Sequence, residues 1–250
     1  LIPMLVFDKD NRVLLRKLCK EHGIFEDVYW ADTELFKKAK KYEVKGRGLS
    51  NPAVTVHLDN PEQSSGPICP TDCGLCSLHE THSGLTNLVI TNRCDLTCWY
   101  CFFYAEAAGY IYEPTMQQIE WMVAQIKGEK PIAGNSIQIT GGNPELRDEV
   151  LDIVRLVKKG GINHIQFNTN GTHRLYKEPE FAIALKEAGV SNLYLSFDGT
   201  TPRTNPKNHW EAPGILNSCR QANLGVVLVP TVINTVNDHD VGNILKFGFK

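Results

Sequence analysis

From residue 86 onward, short apolar runs of five to seven residues alternate with amphipathic stretches of ten to fifteen, the rhythm of repeated strand–helix units. The runs predict five strands at 87–91, 136–140, 164–168, 192–197 and 225–232. Apolar positions recurring at helical period predict helices over 115–127, 145–159, 178–188 and 211–223, with another starting near Asn237. Strands joined through helices form a parallel sheet. A closed eight-stranded barrel needs more chain than remains, so the fold class is α/β with an open, partial parallel barrel. The start at Leu1 and the end within a helix at Lys250 point to a piece cut at both ends.

Ahead of this region the pattern is mixed. Residues 12–18 read as a short strand, 33–42 as a basic helix and 53–58 as an alternating strand. The stretch NPEQSSGP at 60–67 is the clearest linker. The chain therefore divides into a small N-terminal unit (1–60), a cysteine-rich segment (61–85) and the sheet region (86–250).

Composition narrows the function. Lys plus Arg is 26 and Asp plus Glu is 28, a net charge of −2, which removes the broad electrostatic reason to expect nucleic acid or an anionic membrane. The longest apolar run, 224–233, is half the length of a membrane span and contains Pro230. With neither a span nor a signal peptide, a cytoplasmic location is expected.

Six of the eight cysteines fall between Cys69 and Cys101. Cys69, Cys73 and Cys76 form C-x3-C-x2-C, and Cys94, Cys98 and Cys101 repeat the spacing; Cys19 and Cys219 stand apart. Disulfides between such near neighbours would close tiny loops, whereas one short loop can aim three thiolates at an iron–sulfur cubane. The second group directly follows the first strand of the sheet, where parallel α/β folds place reactive groups. Three thiolates satisfy three irons and leave the fourth open to an outside ligand.

Other strand ends carry polar loops: Thr140-Gly141-Gly142-Asn143-Pro144, Asn168-Thr169-Asn170-Gly171 and Ser196-Phe197-Asp198-Gly199. Paired glycines free backbone groups for a close ligand, and Asn168, Asn170, Ser196 and Asp198 offer hydrogen bonds to an amino acid or a ribose. Each loop taken alone is an ordinary βα turn. Aromatics crowd behind the cysteines, from Trp99 to Tyr112. They either line a lipid-facing tunnel or pack the loop against the first helix, and packing is the commoner use.

These residues carry a family resemblance. C-x3-C-x2-C after the first strand, Tyr100 before the last cysteine and Gly-Gly-x-Pro after the second strand resemble the radical SAM enzymes. The resemblance implies a partial (β/α)6-type barrel, a catalytic [4Fe–4S] cluster on Cys94, Cys98 and Cys101, and S-adenosylmethionine cleaved to a 5′-deoxyadenosyl radical that abstracts unactivated hydrogen. It further implies Tyr100 at the adenine, Gly141, Gly142 and Asn143 at the methionine amino group, and Ser196 with Asp198 at the ribose. The family normally has Glu where this chain has Asn143, and Glu145 is the nearby carboxylate that would partly substitute. An electron donor such as a ferredoxin or flavodoxin is implied as well.

Within that superfamily, KLCKEHGIFEDVYW, the stretch from CPTDCGLC to CWYCFFYA, and VVLVPTVINTVNDHDVGNI resemble the archaeal tetraether lipid synthases. This implies coupling of isoprenoid chain ends of diether lipids, a lipid substrate and transient contact with a membrane, which the basic stretch 37–45 would assist. Cys69, Cys73 and Cys76 match an auxiliary cluster whose fourth ligand is Cys219, His79 or His82, with Cys219 favoured as a thiolate. Cys19 with His22 looks like the second knuckle of a rubredoxin-like iron site, which this chain completes only if preceding residues supply the first. The same scaffold equally suits a radical SAM methyltransferase acting on a pterin-like small molecule. A non-catalytic electron-transfer or zinc module is the reading from another class. Against that module stands the count of three ligands per group, where structural zinc takes four.

Overall fold

The computed structural model describes residues 2–44, 46–50, 55–56, 75–76, 80–103 and 108–249. The chain forms two compact units, 1–46 and 47–250. Cys69 and Cys73, the linker at 60–67 and His79 lie outside the described residues, and of Cys76 only the strand assignment is described.

The first unit is a three-stranded antiparallel sheet of β1 (Met4–Lys9), β2 (Arg12–Cys19) and β3 (Gly23–Trp30). Asp10 and Asn11 join β1 to β2 with φ of 52° and 59°, the left-handed pair of a tight hairpin turn. After β3, Asp32 caps α1 (Thr33–Lys40) by accepting the Leu35 N–H at 2.9 Å. Phe36 on that helix meets Trp30 with ring centroids 5.8 Å apart.

The second unit contains a short parallel pair, β4 (Thr55–Val56) and β5 (Leu75–Cys76). Its main body is a parallel five-stranded sheet of β6 (Thr86–Thr91), β7 (Ser136–Gly141), β8 (His164–Thr169), β9 (Asn192–Ser196) and β10 (Gly225–Val229). Each strand lies beside its predecessor, in the order β10-β9-β8-β7-β6. Helices α2 (Met116–Gly128), α3 (Val150–Lys159), α4 (Arg174–Lys177), α5 (Phe181–Ala188), α6 (Ala212–Gln221) and α7 (Val241–Gly248) separate and follow the strands. The start of α2 is set by a capping box between Thr115 and Gln118.

The predicted helix over 145–159 is broken. Pro144–Leu146 makes a single 3-10 turn, Arg147 is extended, and α3 begins at Val150. Arg147 accounts for the break: its guanidinium is buried, donating to Ile90 O at 3.0 Å and Pro114 O at 2.9 Å. A helix continuing through residue 147 would forfeit both bonds from a buried cation.

Strand alternation gives the sheet two unlike faces. Leu88, Ile90, Ile137, Ile139, Ile165, Phe167, Leu193 and Leu195 form one core with Ile119, Val123, Val154, Leu185 and Ile215 from the helices. The opposite face is polar. In register across four strands run Asn87, Gln138, Gln166 and Asn192, each opposite the next. Closer to the carboxyl ends, Asn168 donates to Thr140 Oγ1 at 2.9 Å and pairs in register with Tyr194.

Candidate active site

The loop after β6 is anchored before it reaches the cysteines. Asn92 donates to Tyr110 O and accepts from Tyr112 N, each at 2.8 Å, and Arg93 Nε donates to Glu113 at 2.7 Å. The paired glycines make this loop possible in an unanticipated way. Gly142 N donates to Thr91 O at 3.0 Å and Asn143 N to Arg93 O at 2.7 Å. A Cβ at Gly141 would lie 2.0 Å from Thr91 O, and one at Gly142 2.2 Å from Arg93 O. The space cleared by Gly141 and Gly142 is taken by the chain leading to Cys94, rather than being open to a ligand.

Cys94, Cys98 and Cys101 are free, half-buried thiols, and a turn from Cys101 N to Cys98 O, 2.9 Å, bends the loop around them. Burial, foremost, pushes the Cys94 and Cys98 thiols up, and each would also feel negative charge on its neighbours in the group. Metal binding here must displace protons. Among the described residues no three His, Cys, Asp or Glu side chains converge as a single ion would require. Three thiols on one loop are the donor set that three irons of a cubane take.

The loops after β7 and β8 meet this loop at Asp95. Its Oδ1 accepts from Asn143 Nδ2 at 2.9 Å and from Asn170 Nδ2 at 3.0 Å, and its Oδ2 from the Thr172 hydroxyl at 2.7 Å. Burial opposes ionisation of Asp95, but the bonds from Asn170, Thr172 and Asn143 outweigh it and hold the carboxyl below the usual range. Asn143 is fully buried. Glu145, the expected substitute carboxylate, is committed elsewhere: it is buried, bonded by the Thr169 hydroxyl and by Leu175 N at 3.0 Å.

Across the site, Asp198 is buried at the end of β9. It accepts from Tyr100 Oη at 2.5 Å and from Thr231 N at 2.8 Å, and Lys207 Nζ stands 3.1 Å from it. Lys207 also lies over the Tyr100 ring, 4.8 Å from the centroid. Ser196 is half-buried on the polar face, its carbonyl bonded by Asn208 Nδ2 at 2.8 Å. Trp99, Phe102 and Tyr110 are each more than two-thirds exposed, so these three do not provide the packing expected of them.

The remaining sulfur sites separate. Cys219 sits on α6 inside the hydrophobic core, 1% exposed, and burial pushes its thiol up to about 11. The expectation that it ligates a cluster fails on that geometry, because a thiolate there would be stranded among Ile215, Leu224 and their neighbours. His82 is exposed. In the N-terminal unit, Cys19 Sγ and His22 Nδ1 are 3.3 Å apart. Two residues at the centre were missed from sequence. Asp95 was legible as the carboxylate inside the cysteine spacing, whereas Lys207 lies in a loop of Thr, Pro and Asn with no pattern to single it out.

Comparison with known proteins settles the family. Residues 88–248 match the model of the radical SAM superfamily. The chain belongs to the radical SAM superfamily. Its first 31 residues match the HMPTM N-terminal zinc ribbon domain, where the resemblance to rubredoxin had implied iron. The chain is 36% identical to the 7,8-dihydro-6-hydroxymethylpterin dimethyltransferase of Methanocaldococcus jannaschii, over 98% of this chain and 47% of that protein. It is 37% identical to the GTP 3′,8-cyclase of Limosilactobacillus fermentum, over 45% of this chain and 33% of that one. The chain thus spans less than half the length of either relative. Native anSMEcpe with bound AdoMet and Kp18Cys peptide aligns with a TM-score of 0.48 at 19% identity, covering 66% of this chain and 49% of its own.

A radical SAM protein works with a [4Fe–4S] cluster and S-adenosylmethionine. The residues present fit that pair: three free thiols stand on one loop, and the polar loops after β7 and β8 join that loop at Asp95. Among the described residues no helix is long and apolar enough to cross a membrane.

Proposed function

We propose that this chain is the S-adenosylmethionine-cleaving part of an enzyme that methylates a pterin-like heterocycle. The observation that carries this reading is the polar face of the sheet. On it, Gln166 Oε1 and Asn192 Oδ1 are buried side by side in register, without a hydrogen-bond partner among the described residues. Each such acceptor left dry costs about 1–3 kcal/mol. Ring N–H and exocyclic amino groups of a pterin supply the donors these oxygens lack. A hydrocarbon chain would leave them unmet, which counts against the lipid-coupling reading at this face. The similarity to the pterin dimethyltransferase supports the same choice.

In this reading Cys94, Cys98 and Cys101 hold the catalytic cluster, and Tyr100, Asn168, Asn170 and Ser196 surround S-adenosylmethionine. When bound, the cluster and S-adenosylmethionine together supply a 5′-deoxyadenosyl radical able to take hydrogen from an unactivated C–H bond. The chain's own contribution is placement. Gln138, Gln166 and Asn192 orient the heterocycle by its polar edge, and the apolar opposite face keeps the strands rigid behind them. Cys69, Cys73 and Cys76 would carry an auxiliary cluster, and a ferredoxin or flavodoxin would deliver electrons.

The test is 5′-deoxyadenosine formation by anaerobically reconstituted, reduced protein, with a dihydropterin or with a diether lipid. The dihydropterin should stimulate the wild type, and Gln166→Leu should abolish that stimulation while sparing the uncoupled basal reaction. Stimulation by the lipid alone would overturn the proposal.

A further inference from the structure

The cations around the cysteine loop are committed in different ways. Arg93 is paired with Glu113 at 2.7 Å and donates to Leu146 O at 2.8 Å. Arg147 is buried on Ile90 O and Pro114 O and paired with Glu149. Lys207 instead reaches into the cysteine loop itself. Its side chain is 12% exposed, its Nζ stands 3.1 Å from Asp198 Oδ2, and it lies over the ring of Tyr100, the residue between Cys98 and Cys101. At the Cys98 sulfur its charge is felt more strongly than the opposing charge of Asp198. With both partners so little exposed, salt and water screen that charge weakly.

The loop that carries Lys207 is built to hold it there. Residues 199–211 form neither helix nor strand, yet both sides of Lys207 are pinned by buried side chains. Thr204 donates to Asp240 Oδ2 at 2.7 Å, and Asn205 Nδ2 donates to Asn208 Oδ1 at 2.9 Å. Asn208 Nδ2 in turn donates to Asn170 O at 2.6 Å and to Ser196 O at 2.8 Å, which ties the loop to the ends of β8 and β9. A buried polar network of this kind rigidifies what it holds, so the ammonium is fixed beside Cys98.

A [4Fe–4S] cluster held by three thiolates is an anion, and each electron it accepts makes it more negative. A fixed cation next to one of its sulfurs favours the reduced form, since net charge and surroundings set the potential of such clusters. We propose that Lys207 is the positioning residue for electron entry: its ammonium, held beside Cys98, raises the reduction potential of the catalytic cluster and so eases its one-electron reduction by a ferredoxin or flavodoxin. This inference rests on the reading that Cys94, Cys98 and Cys101 hold that cluster and is independent of the pterin reading.

The test is the midpoint potential of the cluster, read by electron paramagnetic resonance of the anaerobically reconstituted chain poised at a series of potentials without S-adenosylmethionine. The catalytic cluster's signal is the one that Cys98→Ala removes; a wild type without such a signal would overturn the cluster reading and this inference together. Lys207→Gln keeps a hydrogen-bond donor for Asp198 and loses the charge. At a fixed potential it should lower the reduced-to-oxidised ratio about tenfold, which for one electron is a midpoint about 59 mV more negative. Lys207→Arg should stay within about twofold of wild type. Asp198→Asn removes the opposing charge, leaves Lys207 in place and should move the midpoint the other way. Loss of the loop's structure alone would shift both variants in one direction or neither, so opposite signs separate charge from packing. Should Lys207→Gln hold no cluster, Asp198→Asn decides alone: a more positive midpoint supports the proposal, and an unchanged or more negative one overturns it. With the cluster present in every variant, an unchanged midpoint in Lys207→Gln, or a shift of the same sign in Lys207→Gln and Asp198→Asn, would overturn it.

Discussion

The Tyr100 hydroxyl donates to Asp198 Oδ2 at 2.5 Å, fastening the cysteine loop to the carboxyl end of β9. Burial, then the bond to Asp198 and its charge, push the Tyr100 hydroxyl well above its ordinary range, so it remains a donor at any physiological pH. Two elements far apart in sequence are thereby held together by one polar knot, which Lys207 completes.

Removing the two side-chain donors of that knot should not cost the same. Tyr100→Phe leaves Asp198 with Lys207 and the Thr231 N–H, and should lower stability by about 1–2 kcal/mol. Lys207→Met strips the counter-charge from a carboxylate 2% exposed and should cost about 3–5 kcal/mol. Denaturant unfolding of the two variants ranks them; a reversed order would show that Lys207 is dispensable to the knot.

Asp240 gives an acid-side prediction. Burial works against its ionisation, but the Thr200 N–H and the side chains of Thr204, Asn243 and Thr200 outweigh this and hold the carboxyl at about 2, below its ordinary 3.8. A depressed carboxyl stabilises fully above its unfolded value and loses that contribution as pH falls toward the folded one. Wild type should therefore lose on the order of 2 kcal/mol between about pH 4 and 2 that Asp240→Asn does not lose. Unfolding free energies of both proteins across that window check it.

Glu145 has the opposite sign. Burial raises its carboxyl above the ordinary 4.5, only partly offset by Thr169 and the Leu175 N–H. A raised carboxyl stabilises below its unfolded value, and the benefit fades as pH climbs through the folded one. Glu145→Gln mimics the protonated form, so its melting temperature should gain on wild type as pH rises from 4.5 toward 8. A constant difference across that range would mean that the carboxylate is ionised without penalty.

At Gly142 the prediction is steric. A methyl group 2.2 Å from Arg93 O has only backbone to push against. Gly142→Ala should cost more than about 4 kcal/mol or prevent folding. Circular dichroism and chemical unfolding of the variant would show it, and near-native stability would mean that the two loops are free to part.

Much of this was legible in the chain. All five strands of the main sheet are legible within one to three residues, β6 to β9 because each alternates around an apolar face and β10 because it is a short continuous apolar run. β1 and β3 were missed because neither buries a side chain completely and so neither shows a clean period. The signal that could have found β1 was Asp10-Asn11, a two-residue turn pair. Long-range partnerships were beyond reach. Nothing local to Arg147 announces that it will bond Ile90 and Pro114 and so split a helix. Thiolate chemistry alone favours Cys219 as a ligand, and only packing shows that its surroundings are apolar.

The alternation of the strands has a consequence for how such a protein changes over time. Every second residue of β7, β8 and β9 is sealed under helices, and the one between looks out on the polar side. Gln138, Gln166 or Asn192 can therefore be exchanged while Ile137, Ile165 and Leu193 stay untouched. On the proposed reading, what the sheet recognises and what keeps it folded are written on different residues of the same strands, so the one can change without disturbing the other.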